Sequence, residues 1–62
     1  MKKPKLRILD SDGNAFDILA KAKKAAFMAG WYPHQIDDFM NEAKRGDYNH
    51  LLQTCMKHFD VQ

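Results

Sequence analysis

The sequence predicts a small, mainly α-helical domain with a short strand element, and three observations carry that prediction. The three glycines, Gly13, Gly30 and Gly46, fall where apolar periodic runs begin or end. Glycine collects at such boundaries because it escapes the steric penalty on left-handed backbone. The runs between them repeat apolar residues at helical spacing. Finally, an apolar content of 45% and seven aromatics in 62 residues supply material for a core and argue against disorder.

The chain opens with a short strand, Lys5–Asp10, in which Leu6 and Ile8 share one face and Arg7 takes the other. Pro4 suits the start of an edge strand, where its missing N–H does no harm. Asp10-Ser11-Asp12-Gly13 is turn chemistry. Asn14 then offers an N-cap oxygen, and the first helix is predicted over 14–29. Phe16, Ile18, Leu19, Ala22, Ala26 and Phe27 form its expected apolar face, with Asp17, Lys21 and Lys24 opposite. Its alanines raise helix propensity. The breadth of the face, on so short a chain, also predicts a homodimer.

Pro33 presets the backbone for a second helix, predicted over 33–45. Trp31 and Ile36 occupy the two positions of a hydrophobic staple, and Gln35 is placed to reach back to the entry backbone. Ile36, Phe39, Met40 and Ala43 make the core stripe, while Lys44 and Arg45 complement the negative helix end. Asp47 caps a third helix, predicted over 47–56, with Tyr48, Leu51, Leu52, Cys55, Met56 and Phe59 along one side. Beyond it, two readings stand: the helix continues to Phe59, or the tail turns extended. A lone N-terminal strand would leave backbone groups unpaired, which favours a terminal strand that pairs with it.

Sixty-two residues make a single domain, 1–62, of limited stability. The one cysteine, Cys55, excludes an internal disulfide. With no signal-peptide pattern, the lone thiol suggests a reducing cytoplasm. No apolar run approaches the roughly 20 residues of a membrane span. The net charge of +2 is unevenly spread, with seven basic against three acidic residues in the first thirty positions. That gradient points to an acidic partner surface or to self-association.

Little here suggests an enzyme. Asp37 and Asp38 are adjacent, so on a helix they diverge and form no dyad. There is no glycine loop to cradle phosphate. Cys55 and His58, with His50 a turn and a half earlier, fall short of the ligand sets zinc requires. No catalytic residue, metal or cofactor is expected. Two binding readings remain. A nucleic-acid interface would use Lys2, Lys3, Lys5 and Arg7, helped by Lys21 and Lys24, although a pI of about 8.8 is modest for such a footprint. A protein interface would centre on Trp31, Tyr32 and His34 at the corner between the first two helices. Tyrosine caps poorly, so Tyr32 breaks a local rule, and Trp and Tyr are favoured interface anchors. Met28, beside the polar face of the first helix, is a further exposed-contact candidate. The favoured expectation is a non-catalytic protein-binding or inhibitory module, with the nucleic-acid accessory role as the alternative.

Two resemblances bear on this. Asp12-Gly13-Asn14-Ala15-Phe16, Ala29-Gly30-Trp31 and Gly46-Asp47-Tyr48 followed by Leu51-Leu52 together resemble a family of short uncharacterised bacteriophage and prophage proteins. The resemblance spans Leu6 to Val61. It implies a phage setting and a host-cytoplasm location, and no activity; a binding module in that setting is expected to act on a host or phage protein. Over residues 25–56 the chain is also similar to ubiquitin-associated-type three-helix domains, through Phe27-Met28-Ala29-Gly30-Trp31 and Gly46-Asp47-Tyr48. An alanine stands between Met28 and Gly30 where that family's binding loop has none, so this similarity implies topology alone.

Overall fold

Each helix is delimited by its flanking side chains, and those caps determine where the rest of the chain can go. The computed structural model describes residues 3–8 and 13–62. Leu9 and Asp10 of the expected strand, and the turn residues before Gly13, lie outside the described residues. The elements run β1 (Lys5–Leu6), α1 (Ala15–Met28), α2 (Pro33–Ala43), α3 (Tyr48–His58) and β2 (Asp60–Val61). The molecule is therefore mainly α, with a two-stranded sheet.

Asn14 Oδ1 accepts the Phe16 N–H at 2.8 Å and opens α1. The helix closes in a Schellman motif: Gly30, at φ +86°, donates to the Phe27 carbonyl at 3.1 Å, and Trp31 donates to the Ala26 carbonyl at 3.0 Å. Gln35 Oε1 does reach back, accepting the Tyr32 N–H at 2.8 Å at the start of α2. Asp47 Oδ1 accepts the His50 N–H at 2.9 Å and starts α3.

Gly46 is a glycine for a different reason than its position in the sequence suggests. Its φ is not positive, unlike those of Gly13 and Gly30. A Cβ at Gly46 would stand 2.9 Å from Cβ of His50 and 3.0 Å from its Cγ. The missing side chain lets His50 close against the end of α2, where its Nε2 donates to the Glu42 carbonyl at 2.9 Å. That carbonyl belongs to the last turn of α2, where it also accepts the Arg45 N–H at 3.1 Å.

The core is one cluster: Leu6 from β1, Ile18, Leu19, Ala22 and Ala26 from α1, Ile36, Phe39 and Ala43 from α2, Leu51 and Cys55 from α3, and Phe59. It corrects the expected face of α1. Phe16 is 81% exposed and Phe27 72% exposed. The buried stripe follows Ile18, Ala22 and Ala26 at i, i+4 and i+8, with Leu19 beside it. At 100° per residue, both phenylalanines lie about a third of a turn from its centre. Small residues occupy the contact because β1, α2 and α3 all pack against α1. Tyr48 and Met56, expected in the core, are also exposed. The α3 stripe runs instead through Leu51, Thr54 and Cys55. Buried Thr54 satisfies its hydroxyl by donating to the His50 carbonyl at 2.8 Å.

At the chain's end each of the two readings holds a part. α3 extends to His58, two residues past its expected end, and β2 follows at once. β2 pairs with β1 in parallel, with Lys5 opposite Asp60 and Leu6 opposite Val61. Asp60 donates to Pro4, Gln62 to Leu6 and Ile8 to Gln62, each at 2.8 Å. Phe59, at the junction, stacks on Trp31 with ring centroids 5.2 Å apart and meets Phe39 edge-on at 5.3 Å. Among the described residues, no helix is long and apolar enough to cross a membrane.

Candidate binding surface

Pairing β1 with β2 fixes β1 along one flank of α1, and this places two groups of cations together. A surface groove of about 380 Å³ between the two elements is lined by Lys5, Leu6 and Arg7 from the β1 segment and by Lys21, Lys24, Ala25 and Met28 from α1. Four cations thus converge from residues well separated in sequence, and no carboxylate among the described residues lines the groove. Lys21 and Lys24 are there by helical spacing, one turn apart on the β1 side of α1. Lys5 and Arg7 are there by strand alternation, since buried Leu6 between them turns into the core.

Of the expected basic arm, Lys3 does not line this groove. Lys2 lies outside the described residues. Lys3 Nζ donates to the Met56 carbonyl at 3.1 Å, in the last turn of α3, where a cation suits the negative helix end. It lines a separate groove of about 550 Å³ with Lys5, Met56, Phe59, Asp60 and Val61.

The exposed side of α1 adjoins the basic groove and carries the aromatic rings the core did not take. Lys23 and Lys24 sit four and three residues before Phe27, so cations and ring are neighbours on the helix surface. Met28, expected as an exposed contact, is exposed and lines the groove. Sequence reasoning missed Phe16 and Phe27 as surface residues. The available signal was the alanine spacing at Ala22 and Ala26, which marks the side of close helix approach.

The second expected site is divided by the structure. Trp31 is half-buried in an aromatic cluster, stacked on Phe59 and edge-on to Phe39 and His58, each of the latter at 6.0 Å. It therefore serves the fold. Tyr32 and His34 remain outside. Their rings stack at 5.8 Å, Tyr32 is 67% exposed, and its side chain makes no cap hydrogen bond.

His58 presents a buried Nε2 with no hydrogen-bond partner among the described residues, and its ring is held edge-on against Phe39 at 5.5 Å. Cys55 is buried, and that burial pushes its thiol pKa up, the opposite of what a nucleophile or metal ligand needs. Among the described residues no three His, Cys, Asp or Glu side chains group as a metal site. Asp37 and Asp38 are both exposed on α2. The chemistry this arrangement offers is electrostatic and apolar capture. No family model, curated protein or solved structure matches the chain.

Proposed function

We propose that the chain is a non-catalytic, nucleic-acid-binding accessory protein that works in the cytoplasm through the groove between β1 and α1. The convergence of Lys5, Arg7, Lys21 and Lys24 around one concavity, with no carboxylate of the described residues in its lining, carries this reading. A polyanion lying along this lining meets a positive local field and releases its own condensed counterions. The modest net charge is no obstacle, because what a phosphate backbone meets is the local field. Fluorescence anisotropy with a labelled oligonucleotide at about 50 mM salt tests the proposal. The Lys21→Gln/Lys24→Gln variant should bind at least about tenfold more weakly than the parent chain, given two lost phosphate contacts. Lys57→Gln, on α3 with its side chain 3.7 Å from Glu42, should bind like the parent. Equal weakening by both variants would remove the groove from the proposal.

A second reading is supported by the Tyr32–His34 pair. A stacked, exposed aromatic pair beside a capped helix start suits a protein partner, for instance a host or phage protein. Under that reading Tyr32→Ser would lose partner capture while folding normally, and the groove variant would retain it.

A further inference from the structure

We infer that the nucleic acid this surface takes is single-stranded, with Phe27 as a platform on which a base stacks; this rests on the nucleic-acid reading of the basic groove. The observation behind it is the placement of exposed rings beside the cations. Phe27 and Phe16 are two of the three large apolar side chains left exposed on α1. Phe27 lies one turn beyond Lys23 and Lys24, and Lys24 and the exposed Met28 line the groove. A positively charged track flanked by aromatic faces is what a single strand requires. Its phosphates meet the cations and its unpaired bases lay their faces on the rings, without preference for sequence. A duplex offers no such faces, because its bases are already stacked on one another. It is read instead by side chains that donate to and accept from base edges, Arg or Lys at guanine and Asn or Gln at adenine. The exposed positions of α1, Phe16, Ala20, Lys23, Lys24, Phe27 and Met28, carry no Asn, Gln or Arg, and the groove's Arg7 comes from the β1 segment. Phe16 and Phe27 are eleven residues apart, about 16 Å along the helix. The small exposed Ala20 between them leaves the surface open for a strand crossing from one ring to the other.

The test compares binding of a labelled oligo-dT of about 16 nucleotides with that of a labelled duplex of the same length, at low salt. The chain should prefer the single strand. Phe27→Leu, which keeps an apolar side chain and removes the ring, should weaken single-strand binding at least about fivefold and leave duplex binding unchanged. Phe27→Tyr, which restores a ring, should bring affinity back to within about twofold of the parent. If Phe27→Leu binds oligo-dT like the parent while Lys21→Gln/Lys24→Gln loses affinity, the single-strand inference falls and the charge reading stands. Preference for the duplex has the same consequence. If the parent chain binds neither probe, both fall together.

Discussion

Gly30 and Gly46 look alike in the sequence, each closing an apolar run, yet they should respond oppositely to substitution. At Gly46 the backbone is ordinary, and an added methyl group meets Cβ and Cγ of His50 at 2.9 and 3.0 Å. Those atoms are close to the α3 backbone and cannot swing away as a side-chain tip would. Relief requires α3 to retreat, at about 1–3 kcal/mol for overpacking. Retreat also stretches the His50–Glu42 hydrogen bond, with about 0.5–1.5 kcal/mol at stake. Gly46→Ala should therefore cost about 2–4 kcal/mol. At Gly30 nothing among the described residues lies within 4 Å of an added Cβ, and only φ +86° is strained, so Gly30→Ala should cost about 1–2 kcal/mol. Asparagine separates the two causes. Gly30→Asn should recover part of the alanine loss, because Asn tolerates left-handed backbone, whereas Gly46→Asn should be no better than Gly46→Ala. Urea unfolding followed by far-UV circular dichroism measures all four variants, with a common slope as the condition for comparing midpoints. A domain of this size has about 3–9 kcal/mol in total, so Gly46→Ala should lower the urea midpoint by a large fraction of its parent value. A smaller loss at Gly46 than at Gly30, or a rescue of Gly46 by asparagine, would refute the packing explanation.

Phe39→Ala removes a ring that packs against Trp31, His58 and Phe59 and should cost about 3–5 kcal/mol; a folded dichroism spectrum at room temperature would count against the core described. Cys55 should resist iodoacetamide in the native chain and react as urea unfolds it, because burial keeps the thiol protonated and covered. The same raised pKa implies that stability declines as pH rises past the ordinary thiol value, where the unfolded chain loses a proton that the folded chain keeps; a flat pH profile in that window would contradict it. The homodimer expected from the alanine-rich face loses its motivation, because Ala22 and Ala26 are buried within the chain's own core. Lys23 and Lys24 lie midway along the exposed side and would oppose their copies. The thermal midpoint should therefore be independent of protein concentration, and sedimentation should give the mass of one chain.

The caps made the helices legible. Asn14, Gly30, Pro33 and Asp47 each act through local backbone geometry that neighbouring residues fix by themselves. What depends on tertiary packing was harder to read. Apolar size singled out Phe16 and Phe27 for the core, whereas β1, α2 and α3 crowd around the side of α1 that carries Ala22 and Ala26 beside Ile18 and Leu19. Thr54 displaced Met56 from the buried side of α3 because a local bond to His50 removes the penalty of its hydroxyl. The basic residues could be enumerated from the sequence, but their division could not. Lys3 joins α3, and Lys5 joins Lys21, only once a parallel pairing across nearly the whole chain has set where β1 lies. Trp31 likewise went to the core because Phe59, remote in sequence, supplies its stacking partner.

The most direct test of the basic groove is the salt dependence of oligo-dT binding by the parent chain and by Lys24→Gln. Three to four phosphate contacts on a single strand give a slope of log affinity against log salt of about −2 to −3, and losing one contact should flatten it by about 0.7 to 1. Lys57→Gln, outside the groove, should keep the parent slope. Affinity that does not change with salt, a Lys24→Gln slope equal to the parent's, or no binding at about 50 mM salt would contradict a polyanion partner for this surface.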